Sequence, residues 1–530
     1  MRQLCFAAAL AIGLGVQAQE PVYRWGPPAT NDLTERHIEQ LLDLGDQGFV
    51  LLRVSEDATT VRHFWLERYD KALQLVGTKE VAFNNGVMGD SYFMDEVVVM
   101  NGALYAFVSH WEKAGGKHTL VLHALGFDGV LQEGTQLDLV TAEKMGNRGT
   151  YKWSFSPDGK KLLLLTELPF VKDAKEKLRM TCYDIPALTK LWSHEQTLEI
   201  DGNKALHNDV AVDNSGHAYL YKKIWEKPVW TYMLYATDGK GSWKAHEPKG
   251  LEGKQIEDHR LTVGPDGGCF IYALYTTEPT SLNKMVHGSW FARFDADGTV
   301  NVDRVEEFPR DLVATLSGER IADNAAKSFV DYLRIKDILY RNDGKALVLL
   351  EQIKSSSQAV AGSSPMQFTY EWIYGDAVAM CIDTETGVRS WWQSVEKKQE
   401  LRNSRSQDEY GSFVYFLKAD RLYMLWNNTD LSVPSIPAAN WTEPDGTRYV
   451  KHKAFDTNTV HATFMQVIEP DGRLAYADRT FGLPLFHLHE GATFEMSMTT
   501  PFFFDLNGDL VILAMMHNGG KRYRFGFIGL

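Results

Sequence analysis

The chain has 530 residues, 44% hydrophobic and 12% aromatic, with 55 Lys and Arg against 69 Asp and Glu for a formal net charge of −14. That composition supports a large packed core and excludes an intrinsically disordered chain. The acidic balance excludes a protein that wraps nucleic acid, because such affinity comes from neutralising phosphates.

Residues 1–18 read as a secretory leader: Arg2 opens it, 4–16 are apolar, and Val16-Gln17-Ala18 supplies small residues for cleavage. The expectation is cleavage near Ala18, a mature chain from Gln19, and a periplasmic or extracellular address. No later apolar run is long enough to span a bilayer, so no membrane span is expected. Beyond Cys5 in the leader, Cys182, Cys269 and Cys381 remain. An odd number, spread along the chain, points to buried thiols and not to a disulfide framework.

From there one pattern recurs: an apolar run, a tight turn rich in Asp, Asn and Gly, and a second apolar run. Trp153 to Leu165, His207 to Leu220 and Phe503 to Leu513 are examples. Each is a β-hairpin signal, since the turn needs positive φ while the flanks alternate. Eight inner turns fall near 44–48, Gly102, Gly159, Gly216, Gly267, Gly344, Asp420 and Gly508. Outer turns fall near Asp70, Gly129, Ile185, Gly239, Gly298, Gly387 and Gly472, seven in all. Repeated units that cannot bury their faces alone stack round an axis. The predicted fold is therefore all-β, an eight-bladed β-propeller, with seven blades as the alternative.

One domain, 19–530, is expected, with blades at about 37–82, 93–140, 150–200, 206–248, 257–308, 333–396, 411–480 and 499–530 plus 21–26. The missing outer strand of the last blade is assigned to Val22-Tyr23-Arg24-Trp25, because closure hides an open sheet edge.

Connections are unequal. The hairpin turns are short, whereas 168–177, 276–288, 355–374 and 427–460 within blades, and 309–332, 397–410 and 481–499 between blades, are long. Chain direction puts both long classes on one face, round the mouth of the axial channel, which makes that face the expected binding surface. Within the 309–332 connection between blades, 319–330 could form a short helix with Ile321, Ala325 and Phe329 on one side.

Polar and aromatic residues gather at strand ends on that face. Ligand-binding candidates are His110, Trp111, Lys152, Asp209, Asp258, Lys223, Trp225, Trp426, Asn427 and His517. Catalytic candidates, should there be chemistry, are His207, His259, Arg260 and Tyr151. Rings give contact area and the neighbouring Lys, His and carboxylates give orientation, which suits sugars, peptides or small anions. His487 and His489, two apart, are the weak metal candidates; no metal and no cofactor are predicted. No nucleophile elbow, phosphate-cradling loop or two-cysteine metal pair appears.

Ser154-Phe155-Ser156-Pro157-Asp158-Gly159-Lys160 resembles the repeat of TolB-type and WD-repeat propellers of exported bacterial proteins. Asp383-Thr384-Glu385-Thr386-Gly387 with Trp391, and Asp184 with Trp192, resemble the quinoprotein-type propeller repeat. That likeness implies that each Trp docks its blade on the next. The adjacent-cysteine pair of several quinoprotein dehydrogenases is absent, so the cofactor is not implied. The stretches 334–352, 374–392 and 422–428 resemble exported propellers of Bacteroidetes-type bacteria, a likeness that brings no activity with it. These signals point to an exported, monomeric binding or scaffold propeller for a protein, peptide or glycan, and away from an enzyme. The alternatives are a polysaccharide hydrolase or lyase at the channel mouth and a quinoprotein-like oxidoreductase.

Overall fold

Asn, Asp and Gly supply the positive φ that a tight reversal needs, and the apolar runs beside them pair across it. Gly102, Gly159, Gly216, Gly267 and Gly344 all have left-handed φ between 67° and 88°. In the computed structural model these hairpins join in series into four-stranded antiparallel blades. The structure describes residues 22–30, 36–56, 62–83, 90–202, 206–226, 229–278, 284–295, 297–318, 328–360, 362, 368–397, 399–403, 411–428, 462–477, 482–486, 494–496, 502–504, 508–516 and 522–529. The leader and most of 427–460 lie outside them, as do His487, His489 and His517.

Blade 1 runs from the axis outward as His37–Asp43, Phe49–Glu56, Arg62–Tyr69 and Leu75–Glu80. Blades 2 to 7 repeat the order from innermost strands Ser91–Met100, Thr150–Phe155, Leu206–Val212, Gln255–Val263, Leu333–Tyr340 and Val414–Lys418. In blade 8, Phe494–Met496 and Phe502–Phe504 both pair with Asp509–Met516, which pairs with Arg522–Gly529. The fourth strand of blade 8 is Val22–Trp25, antiparallel to Arg522–Gly529 with Trp25 opposite Gly526. The expected closure is therefore present, and the protein is an eight-bladed β-propeller.

The core sits between blades. Second strands are apolar on both faces, as in Leu162 to Leu165, all fully buried, because each blade is covered on both sides by its neighbours. Among the described residues, eight buried clusters occupy the eight seams, from blade 1 on blade 2 round to blade 8 on blade 1. At the closing seam Phe525 packs edge-on against Phe49 and Tyr69, and the Tyr69 and Tyr523 hydroxyls meet at 2.6 Å.

The two expected Trp docks are also present. Trp192 of blade 3 donates its indole N–H to the Gly216 carbonyl of blade 4 at 3.1 Å. Trp391 of blade 6 donates likewise to Pro470 of blade 7 at 3.2 Å. Each ring lies against a glycine at positive φ where a Cβ would collide: 2.3 Å from Trp192 at Gly239, and 2.8 Å from Trp391 at Gly472.

Four expectations about the connections need correction. The blade 5–6 connection carries a helix at Arg310–Ser317, ended by Gly318 at φ 66°, and Val330, the last residue of the predicted 319–330 helix, instead opens a short strand, Val330–Asp331, paired with Met285–Val286. Pro309 and Gly318 are the start and stop signals of that helix. Residues 319–327 lie outside the described set. The supposed loop 355–374 is mostly strand: Lys345–Ala359 and Phe368–Asp383 continue past the blade as a ribbon. The supposed loop 397–410 contributes Gln399–Asn403 as a third strand of that ribbon. The connection 481–499 contains Leu483–Phe486, the outer strand of blade 7, and Phe494–Met496.

Candidate functional site

Antiparallel order alternates chain direction, so innermost strands begin, and second strands end, on the long-connection face. Among the described residues, four innermost strands carry a β-bulge at the same place, after Ile38, Met94, Ile256 and Ile335. A bulge adds one unpaired residue and re-aims its neighbours. In three blades the residue after the insertion is a carboxylate that reaches the next innermost strand. Glu96 accepts from the Trp153 indole at 2.6 Å, Asp258 from the Ile335 amide at 2.9 Å and Asp337 from the Tyr415 hydroxyl at 2.6 Å. Asp258, expected to face a ligand, is thus a staple between blades.

A second level of polar groups closes the second strands. At the seam of blades 3 and 4, Lys152 donates to the Asn208 carbonyl at 2.7 Å and lies 3.4 Å from Glu167. Glu167 also accepts from Asn208 at 2.7 Å and from the Thr150 hydroxyl. Burial alone would raise the Glu167 carboxyl, but Thr150 and the Lys152 charge outweigh it and hold it below its usual range. Lys222, fully buried, donates to Asn208 Oδ1 at 2.8 Å and Glu176 at 2.7 Å; burial nonetheless lowers its ammonium below the ordinary lysine value.

At the seam of blades 6 and 7, Lys397 and Glu351 form an ion pair at 2.5 Å with both side chains fully buried. Ser412 donates its hydroxyl to Glu351 at 2.6 Å and accepts from Lys336 at 2.7 Å. Its backbone is left-handed at φ 71°, held by its amide on Gln399 Oε1 at 2.9 Å. Gln399 donates to the Asn427 carbonyl at 2.6 Å, and Asn427 donates to Met496 of blade 8 at 2.8 Å. Both hydrogen-bonding capacities of the Ser412 hydroxyl are engaged, so it joins blades instead of standing ready as a nucleophile.

Between these clusters the predicted residues are placed as follows. Lys223 donates to the Ile256 carbonyl at 2.7 Å and lies over the Trp230 ring, on which Trp225 also packs. His259 lies 3.6 Å from Asp209 and tilts against the Tyr221 ring, while Arg260 is exposed. Tyr151 ties its hydroxyl to the His118 carbonyl at 2.6 Å, one seam further round. His110 stacks on Tyr92 with ring centroids 3.9 Å apart. Trp111 and Trp426 are buried in the core, so neither presents a ring to a ligand. His207 lies in the innermost strand of blade 4 opposite Lys223 in register. The structure thus brings Asp209, His259 and Lys223 to one seam and keeps Tyr151 and Lys152 apart from it.

Lys336, Glu351, Lys397, Gln399 and Ser412 escaped the sequence reading. One signal was available: a charged residue just after the apolar run of a second strand, as Glu167, Lys222 and Glu351 all are. Among the described residues no three metal-ligating side chains converge, and no helix is long and apolar enough to cross a membrane.

No protein-family model matches the chain, and no curated protein matches it. Solved propellers resemble it at low identity. The Dos1 propeller shares 9% identity over 93% of this chain and 95% of that one, with a TM-score of 0.37. The periplasmic gluconolactonase PpgL of Pseudomonas aeruginosa shares 14% over 66% and 85%, at 0.31. An α-L-arabinanase of Penicillium chrysogenum, solved with arabinobiose, shares 10% over 62% and 92%, at 0.30. At these values no activity carries over to this chain.

Proposed function

We propose that this chain is an exported binding propeller that holds its ligand on the long-connection face, over the mouth of the channel. The observation that carries this reading is the pairing of the mouth's ionisable groups with one another. Lys152 with Glu167, Lys222 with Glu176 and Lys397 with Glu351 fix the seams and the roots of the connections. A rigid base bearing elaborated connections on one face suits recognition. Among the described residues, the chemistry left open at the rim includes Arg260, the Trp225–Trp230 pair and the ribbon of blade 6.

The test is to screen the mature chain against glycan, peptide and protein arrays, then map the ligand by amide hydrogen exchange. Protection is expected at 222–226, 258–260 and 353–374, with Arg260→Glu weakening binding. Protection at the short turns of the opposite face would overturn the reading. Hydrolysis or elimination of polysaccharide is a second reading, favoured by the His259–Asp209 contact beside Arg260. It requires that the bound glycan be consumed and that His259→Ala stop its consumption.

A further inference from the structure

The two central strands of blade 6 are 15 and 16 residues long, against 7 to 10 for the second and third strands of blades 2 to 5. The blade proper ends at Glu351 and Ala377, and a bulge separates it from an extension in which Ile353 pairs with Tyr374 and Ala359 with Phe368. Gln399–Asn403 adds a third strand to the extension. Alternation then sorts the side chains. Phe368, Tyr370, Trp372 and Tyr374 share one face, and their cross-strand neighbours Ala359, Ser357, Ser355 and Ile353 share it with them. The other face carries Lys354, Ser356, Gln358, Thr369, Glu371 and Ile373. On that face Lys354 lies over the Tyr332 ring, 5.6 Å from its centroid, while Ser356, Gln358 and Thr369 are exposed.

The aromatic face is graded. Tyr374 at its foot is 8% exposed and has the Lys397 ammonium 5.5 Å above its ring, in the polar cluster of the mouth. Tyr370 and Trp372 are half-buried, and Phe368 at the tip is 39% exposed. Ring centroids are 6.5 Å apart for Trp372 and Tyr374, nearly parallel at 14°, and 6.4 Å apart for Phe368 and Tyr370. Ser355, Ser357 and Ala359 alongside are exposed and too small to cover the rings. Four rings at alternate positions make a track about 20 Å long from mouth to tip.

We propose that this ladder is the glycan-binding platform of the propeller, taking a neutral, linear oligosaccharide along the strand direction; the inference rests on the binding reading above and names its ligand class. Sugar rings offer an apolar C–H face to an aromatic ring and hydroxyls at their edges. Rings in a row with serine hydroxyls beside them match both. Among the described residues the face carries no carboxylate or ammonium, and the Lys397 ammonium at its foot is already paired with Glu351. An anionic glycan therefore finds no partner there.

The mature chain is titrated calorimetrically with neutral linear hexasaccharides of glucose, mannose and xylose, and with a hexasaccharide of galacturonate. At least one neutral sugar binds, and the uronate does not. Trp372→Ala lowers the affinity tenfold or more, Trp372→Phe restores most of it, and Phe368→Ala, at an exposed tip that folding does not need, lowers it severalfold. Unchanged affinity in both Phe368→Ala and Trp372→Ala overturns the platform, as does binding of the uronate alone. If no sugar binds but a protein or peptide protects the long-connection face and loses affinity in Phe368→Ala, the glycan assignment falls and the binding reading stands. If ligand protection maps to the short-turn face, both fall.

Discussion

Replacing Trp25 with alanine tests the closure on which the whole architecture depends. Trp25 is 9% exposed and lies over Gly526, where a Cβ would sit 2.5 Å from the indole, with the Arg524 guanidinium 4.1 Å above the ring. An indole of about 200 Å² at roughly 25 cal/mol/Å² gives about 5 kcal/mol. Compaction of the unfolded chain removes about a third, and loss of the cation–π contact adds about 0.5–1 kcal/mol. The expected loss is about 3–5 kcal/mol, within the range for a buried Trp to Ala change. Urea unfolding of the mature chain, followed by circular dichroism, measures it. Trp225→Ala is the control, because Trp225 sits half-buried at the rim and closes nothing. The reasoning is refuted if Trp25→Ala unfolds within about 1 kcal/mol of the wild type, or no more easily than Trp225→Ala.

Burial, reinforced by the Arg148 charge, pushes the His118 imidazole down to about 4 from 6.5. Between those values the unfolded chain takes up a proton that the folded one refuses. Stability should therefore fall on acidification through that window, by roughly 2 kcal/mol after allowance for screening, and His118→Phe should flatten the profile of urea midpoints. Burial raises the Cys182 thiol to about 12 and the Cys269 thiol well above its usual value. Cys182, Cys269 and Cys381 should be silent to a thiol reagent in the native protein and react only after denaturation. Gly239→Ala should cost about 2–3 kcal/mol in the same urea assay, because the new Cβ meets Trp192 at a left-handed residue. Lys397→Met should cost about 3–5 kcal/mol by stranding Glu351, and adding Glu351→Leu should recover most of that loss.

The fold was legible because hairpin chemistry is local. Gly159 or Gly344 announces a reversal without reference to the rest of the chain, and the closing strand followed from counting outer pairs. The connections were harder. Arg310–Ser317 is short, and its boundaries are written only in Pro309 and Gly318. The ribbon was misread as loop because Ser355, Ser356, Ser357 and Gln358 look like linker composition, although Phe368, Tyr370, Trp372 and Tyr374 spell a period of two. The site was least legible. The partners of Lys397 come from Glu351, Gln399 and the neighbouring blade, separations that no spacing rule connects.

The mouth also shows why charge at a channel rim is a poor guide to chemistry in a ring of blades. Each second strand, apolar along its length, must end at a surface where its last side chains meet the next blade, still partly out of water. A lone charge there would be costly, so the chain supplies partners: Glu176 from across the seam and Asn208 from the same blade for Lys222, Ser412 from across the seam and Lys397 for Glu351. The same logic gives Glu96, Asp258 and Asp337 to the innermost strands as staples. These groups set the register between blades, and a pocket built only from them has little left with which to recognise a ligand. Recognition then falls to what rises above the seams. Of the described segments, the blade 6 ribbon extends a sheet beyond the need of its blade and lines one face of that extension with a row of rings.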